Sequence, residues 1–281
     1  MVTSISSSIP PIYQMPLTEN LTIVKLGGSV ITNKSSKPPE VNRSNLIRIA
    51  KELRDYEGHL IIVLGGGAHG HQAANAHGYG DSSTPIDQLI RGIPHIRHNM
   101  STLALEVETT LSDAGILGVV ISPFSTTLLR NGSIIKFPLD LIEKTLDSKL
   151  VVITHGDVCY DEVLGASILS GDTITVHLAD ELSAAALYLG TDVDGVFEDD
   201  PRKNPNAKLI QVIDKLNMKE VLEKSGPSSA TDVTGGMSRK LKELFKISSS
   251  GTEIAIFNLT KPNRLSDLLS GKPTYCTRIS M

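Results

Sequence analysis

Cysteine is scarce, with Cys159 and Cys276 the two thiols in 281 residues. They lie far apart and without metal-ligand spacing, which argues against a zinc site or a disulfide framework and makes the reducing cytoplasm the expected setting. Long apolar runs are missing too. The stretch at residues 60–64 is interrupted by glycine well short of a bilayer-spanning length, so no membrane span is expected. Nor is there an excess of positive charge. Twenty-seven Lys and Arg against 31 Asp and Glu leave a net charge of −4, which gives no electrostatic reason to bind nucleic acid or anionic membrane. Residues 1–20 are rich in Ser, Pro and Thr but lack the basic start and apolar stretch of a signal peptide, and are expected to form a loose tail. No internal repeat is visible. A Walker-type phosphate loop is also absent, which removes the P-loop nucleotide hydrolases from consideration.

What is present is an ordinary globular composition, 40% hydrophobic and 21% charged, long enough to bury a substantial core. Short β-branched runs alternate with helical patterns, the signature of an α/β fold with a mainly parallel central sheet covered on both faces. Strands are predicted at residues 21–26, 60–64, 118–122, 151–154, 185–190 and 253–257. Helices are predicted at 45–56, where Leu46, Ile49, Ala50 and Leu53 share a face, at 70–76 and at 98–114. Residues 158–169 read as two short strands around a turn, a small hairpin expected on the edge of the main sheet. One continuous domain is expected over 21–281, with a lobe boundary near residue 170.

Glycine-rich segments carry the chemistry. In Val24-Lys25-Leu26-Gly27-Gly28-Ser29 a strand runs into paired glycines, whose bare amides can approach phosphate oxygens while Lys25 supplies a point charge. A tight strand-to-helix turn explains that segment equally well in isolation. Gly65-Gly66-Gly67-Ala68-His69-Gly70-His71 also follows an apolar strand, and Gly65, Gly67 and Gly70 match a dinucleotide fingerprint. The fingerprint needs an acid at the end of a second strand about twenty residues on, whereas Asp81 and Asp87 sit in polar, proline-containing sequence. An anion site at a helix N-terminus, with His71 in the first turn, fits better, although a lone histidine there can simply cap or pack. The remaining histidines of this region, His69, His77, His95 and His98, lack metal-ligand spacing.

Farther on, Thr191-Asp192-Val193-Asp194-Gly195 places carboxylates at the end of a strand, where open α/β sheets bind ligands and where a ribose or magnesium would suit them. Asp232-Val233-Thr234-Gly235-Gly236-Met237 then leads into Ser238-Arg239-Lys240. Two lysines reaching in from separate segments, with acids between them, make a reasonable clamp for a phosphoryl group in transfer.

In this order, together with Ile168-Leu169-Ser170-Gly171-Asp172, the segments resemble the amino-acid-kinase superfamily over nearly the whole chain after residue 20. The Gly-Gly-Gly-x-x-Gly-His loop is most similar to those of isopentenyl phosphate and fosfomycin kinases, and Asp232-Val-Thr-Gly-Gly favours the former. The resemblance implies an αβα sandwich with a phosphoacceptor lobe over 21–170 and a nucleotide lobe over 171–281. It implies ATP and Mg2+ as cofactors, a small-molecule phosphate as substrate and a homodimer, with no direct metal ligand assigned. Lys25 and Lys240 would contact the transferring phosphoryl group and the ATP phosphates, Lys34 would support them, and Asp172 would hold the lysines in place. His71 would bind the acceptor phosphate. Gly66, Gly67 and Gly171 would present amides to the acceptor, and Gly27, Gly28, Ser29, Gly67, Asp192 and Gly236 would line the ATP site. A fosfomycin-type or other small-acid kinase and a non-catalytic nucleotide-binding protein are the alternatives. The sequence departs from the family pattern at His69, where an aromatic is usual, at Thr154-His155-Gly156-Asp157, where a tyrosine-containing version is commoner, and across residues 81–96. The last segment is expected to wall the apolar part of the acceptor pocket.

Overall fold

The computed structural model describes residues 21–201, 203–224, 236–247 and 251–280. The expected tail at 1–20 and residues 232–235 of the last glycine segment lie outside the described residues. β1 (Leu21–Leu26) runs into one helical turn, α1 (Gly28–Ile31), and then a small antiparallel ribbon of β2 (Thr32–Asn33) and β3 (Glu40–Val41). Next come α2 (Arg43–Leu53), β4 (His59–Leu64), α3 (Gly67–Ala76) and the long α4 (Ile86–Asp113). β5 (Gly118–Val120), α5 (Pro123–Thr126), β6 (Leu128–Arg130), β7 (Ser133–Lys136) and α6 (Leu139–Asp147) precede β8 (Val151–His155). Gly156 then links β8 to the hairpin of β9 (Asp157–Asp161) and β10 (Gly165–Leu169). The remainder holds α7 (Gly171–Glu181), β11 (Ala186–Thr191), β12 (Val212–Ile213), α8 (Met218–Lys224), α9 (Gly236–Leu244), β13 (Glu253–Asn258), α10 (Arg264–Leu269) and β14 (Cys276–Ile279).

Eight strands form one sheet in the order β12-β14-β13-β11-β1-β4-β8-β5. Every neighbouring pair is parallel except β13 with β14. The six predicted strands are all in this sheet, because a strand covered on both faces reads as a continuous apolar run. Side-chain alternation sorts each run between two cores. Val24, Leu26, Ile62 and Leu64 enter the core under α2 and α4, whereas Leu21, Ile23, Ile61 and Val63 enter the one under α6, α7 and α9. By the same parity Lys25 lies on the α7 side of β1. Among the described residues no helix is long and apolar enough to cross a membrane.

Three sequence expectations change. The 158–169 hairpin is present, but it belongs to a separate four-stranded sheet in the order β10-β9-β6-β7 and not to the edge of the main sheet. β5 already occupies the position beside β8, and the chain leaves the main sheet at Gly156. The helix predicted at 98–114 begins at Ile86 and continues through Pro94. Gly92, Ile93, Ile96, Met100 and Leu103 carry one buried stripe across the proline, so tertiary packing outweighs the lost backbone hydrogen bond. Ile93 and Ile96 lie in the main core, while Ile86 and Ile90 are exposed. The helix predicted to open at Gly70 opens at Gly67, which puts His71 in the second turn.

Candidate active site

The strand ends at the carboxyl edge of the sheet are stitched together by backbone hydrogen bonds. Gly27 N–H donates to Gly190 O at 3.0 Å, Gly65 N–H to Leu26 O at 2.9 Å and Gly156 N–H to Leu64 O at 3.0 Å. The first two glycine turns pack backbone against backbone. A β-carbon on Gly28 would stand 2.3 Å from Gly67 N, and Gly67 itself has a φ of +49°, so neither position accepts another residue without rearrangement. Thr32 fastens this contact: its hydroxyl donates to Gly28 O at 2.7 Å and accepts from Ala68 N–H at 3.0 Å. Sequence reasoning passed over Thr32, whose single signal is its spacing four residues after Gly28.

Lys25, buried at the end of β1, donates to Asp172 Oδ1 at 2.6 Å, and Lys240 Nζ lies 3.9 Å from the other carboxylate oxygen. Asp172 is held there because Ser170 caps α7 by accepting from Thr173 N–H at 3.1 Å, which places the acid in the first turn, where the helix dipole favours an anion. Burial drives the Lys25 pKa below that of an ordinary lysine; Asp172 opposes the shift and Lys240 adds to it. Burial also acts to raise the Asp172 pKa, but Lys25 and Lys240, with Arg239 beyond, outweigh it and keep the carboxyl below its usual range. An anion between the two ammonium groups would relieve their mutual repulsion.

A second pair joins the turn after β2 to the end of β11. Lys34, in the turn after β2, donates to Asp192 Oδ2 at 2.9 Å, and both groups reach solvent. Burial works to raise the Asp192 pKa, yet Lys34 and the Ser29 hydroxyl lower it overall. Asp194 is occupied elsewhere, accepting from Arg264 at 2.6 Å and Asn258 at 3.0 Å. Gly66 is the N-cap residue of α3 and Gly171 opens α7, so both lie at helix starts facing this edge. His71 is exposed one turn after Gly67, and side chains in a helix lean toward its N-terminus, over that turn. Gly236 begins α9, which carries Lys240. The structure thus brings Lys25, Asp172 and Lys240 into one cluster and Lys34, Ser29 and Asp192 into a second, and sets Gly66, Gly67, Gly171 and His71 along the α3 and α7 starts. Among the described residues no group of three His, Cys, Asp or Glu side chains is arranged to hold a metal ion.

A model of the amino acid kinase family matches residues 20–258. The chain belongs to the amino acid kinase family. It is 35% identical over 266 residues to an isopentenyl phosphate kinase of Methanothermobacter thermautotrophicus, covering 92% of this chain and 99% of that one. An isopentenyl phosphate kinase of Methanocaldococcus jannaschii is also 35% identical, over 90% of this chain and 96% of that one. A solved structure described as an X-ray structure of isopentenyl phosphate kinase superposes with a TM-score of 0.82 at 32% identity, covering 92% of this chain and all of its own. Amino acid kinases transfer a phosphoryl group from ATP, and the two lysines on one carboxylate are the kind of cluster that can spread its charge in transit.

The departures from the family pattern are now placed. His69 is buried in α3, its pKa lowered chiefly by burial, and Asn99 donates to its carbonyl at 3.3 Å. His155 is buried and held neutral, its pKa brought down to about 4 by burial, with its Nδ1 donating to Gly156 O at 3.1 Å. Asp157 is buried and bonded to Arg97 of α4. Sequence reasoning missed that pair. Its signal was an arginine on the apolar stripe of α4, between Ile93, Ile96 and Met100.

Proposed function

We propose that this chain transfers the γ-phosphoryl group of ATP to isopentenyl phosphate, giving isopentenyl diphosphate and ADP. One observation carries the reading. In a chain with full-length relatives named isopentenyl phosphate kinases, Lys25 and Lys240 share Asp172 beside a glycine turn that carries His71 one turn into α3. An acceptor phosphate would sit against the α3 start, where amides and dipole attract an anion and a ring N–H of His71 can donate. ATP phosphates would lie along Gly27, Gly28, Ser29 and the α9 start, with Asp192 and Gly236 bordering the nucleotide. Lys25 and Lys240 would neutralise the group in transfer, Lys34 would leave Asp192 to join them, and Asp172 would keep both clamp lysines aimed.

No strong base is needed. A phosphate monoester has a second pKa of about 6, so the nucleophile is already mostly ionised at neutral pH, and positioning and charge neutralisation do the remaining work. Magnesium would arrive with ATP, bridging its β- and γ-phosphates and keeping several waters. On this reading residues 21–170 form the acceptor lobe and 171–281 the nucleotide lobe of a homodimeric cytoplasmic enzyme in an alternative mevalonate pathway. The test is ADP release with isopentenyl phosphate, dimethylallyl phosphate, fosfomycin, acetylglutamate, carbamate and uridylate compared side by side. Isopentenyl phosphate should give the highest kcat/KM. A higher value with a carboxylate, carbamate or nucleotide acceptor overturns the assignment.

A further inference from the structure

The Arg97–Asp157 pair lies outside every role assigned so far. Asp157 has a fully buried side chain and Arg97 is 18% exposed. Asp157 also accepts from Val158 N–H at 2.9 Å and lies 3.6 Å from His155 Nδ1. The guanidinium donates to Ser101 Oγ at 3.2 Å and stacks over Phe124, 5.4 Å from its centroid, while Phe124 in turn packs on Tyr160 of β9. Taking a carboxylate and a guanidinium out of water offsets most of what their attraction returns, so such a pair is weak ground for stability. Its location points to geometry instead.

Both ends of the pair are tied to the acceptor side of the cleft. On α4, Asn99 holds the His69 carbonyl and Met100 Sδ lies against Gly66 and Gly70, 3.6 and 3.1 Å from where their β-carbons would stand. On the other side Gly156, one residue before Asp157, bonds to Leu64 O at 3.0 Å and abuts Gly171 so closely that a β-carbon would stand 2.9 Å from Gly171 N. We infer that Arg97 and Asp157 are positioning residues for the phosphate acceptor. Their ion pair spans from α4 to the β8–β9 turn and fixes the spacing between the Gly66–Gly67 turn and Gly171. The planar fork of arginine matters here, because it meets Asp157, Ser101 and the Phe124 face at once, which a lysine cannot do.

The inference rests on the acceptor being isopentenyl phosphate, and wild-type turnover with that compound is measured first. No wild-type turnover would defeat the parent reading and with it the inference. The decisive variant is the apolar double replacement Arg97→Met with Asp157→Leu, which removes both charges and leaves neither buried alone. It should melt near the wild-type temperature, raise KM for isopentenyl phosphate about tenfold or more, and leave KM for ATP within twofold. Arg97→Lys, read in the same assay, should raise the acceptor KM severalfold and shows whether charge alone suffices; it also serves if the double variant does not fold. A folded double variant with wild-type acceptor KM overturns the inference. So does an unchanged acceptor KM in Arg97→Lys.

Discussion

Replacing Lys25 by methionine separates its charge from its packing. The side chain is 6% exposed in the middle of the sheet, so methionine can keep most of the apolar contacts of the stem. The loss falls on the ammonium, which lies 2.6 Å from Asp172 Oδ1. For stability, burial of the lysine is itself unfavourable, and Lys240 at 3.9 Å remains to balance Asp172. The expected cost is about 1–3 kcal/mol, below the full penalty for stranding a buried charge. For catalysis, the proposed function loses one of the two clamp lysines that would face the phosphoryl group. Removing one transition-state charge contact costs on the order of 3 kcal/mol, which is roughly a hundredfold in kcat. A coupled assay of ADP release gives kcat, and circular dichroism gives the melting temperature. Folded Lys25→Met with kcat within threefold of wild type would refute the role given to this lysine. Lys240→Ala should behave alike, since it shares the same carboxylate.

His71→Ala should cripple turnover with isopentenyl phosphate and His71→Gln should retain part of it, with KM for ATP little changed in both; wild-type kinetics in a folded alanine variant would remove the histidine from the acceptor site. Asp161 accepts backbone N–H bonds from Asn131, Gly132, Val163 and Leu164 and the Ser167 hydroxyl; burial acts to raise its pKa, but the amides bring it down to about 2. Because this folded value lies below the unfolded one near 4, Asp161 contributes about 2 kcal/mol that is present above pH 4 and lost between about pH 4 and pH 2. Urea titrations should show that loss in wild type and a smaller one in Asp161→Asn; equal acid sensitivity in both would contradict it. Ile96→Ala should cost about 2–4 kcal/mol without altering acceptor chain-length preference, because Ile96 is 1% exposed in the main core. A shift in that preference at unchanged stability would return Ile96 to the pocket.

The fold was legible wherever pattern is local. Runs such as Leu60 to Leu64 announce a strand buried on both faces, and the glycines that end them mark the carboxyl edge. The hairpin's location was not legible, because its pairing with β6 joins Leu129 to Asp161 and no local pattern reveals such a partner. The first turns of α4 were not legible from the 98–114 spacing, although its buried stripe runs on across Pro94 to Gly92, and the positive φ of Gly67 hides a helix start three residues before the one expected. In the site, Lys25 and Asp172 are 147 residues apart, and resemblance to a family, not spacing, was what joined them beforehand. Arg97 and Asp157 are 60 residues apart, and Asp157 falls in the Thr154–Asp157 segment that departs from the family pattern, so that pair had no such help.

The central claim is a transfer between phosphates, and phosphorus NMR of the reaction mixture tests it most directly. Incubation of the protein with isopentenyl phosphate, ATP and magnesium should replace the monophosphate resonance with the coupled pair of doublets of a diphosphate ester, as ATP gives way to an equal amount of ADP. Loss of ATP to ADP and inorganic phosphate, with the isopentenyl phosphate resonance unchanged, would contradict the account.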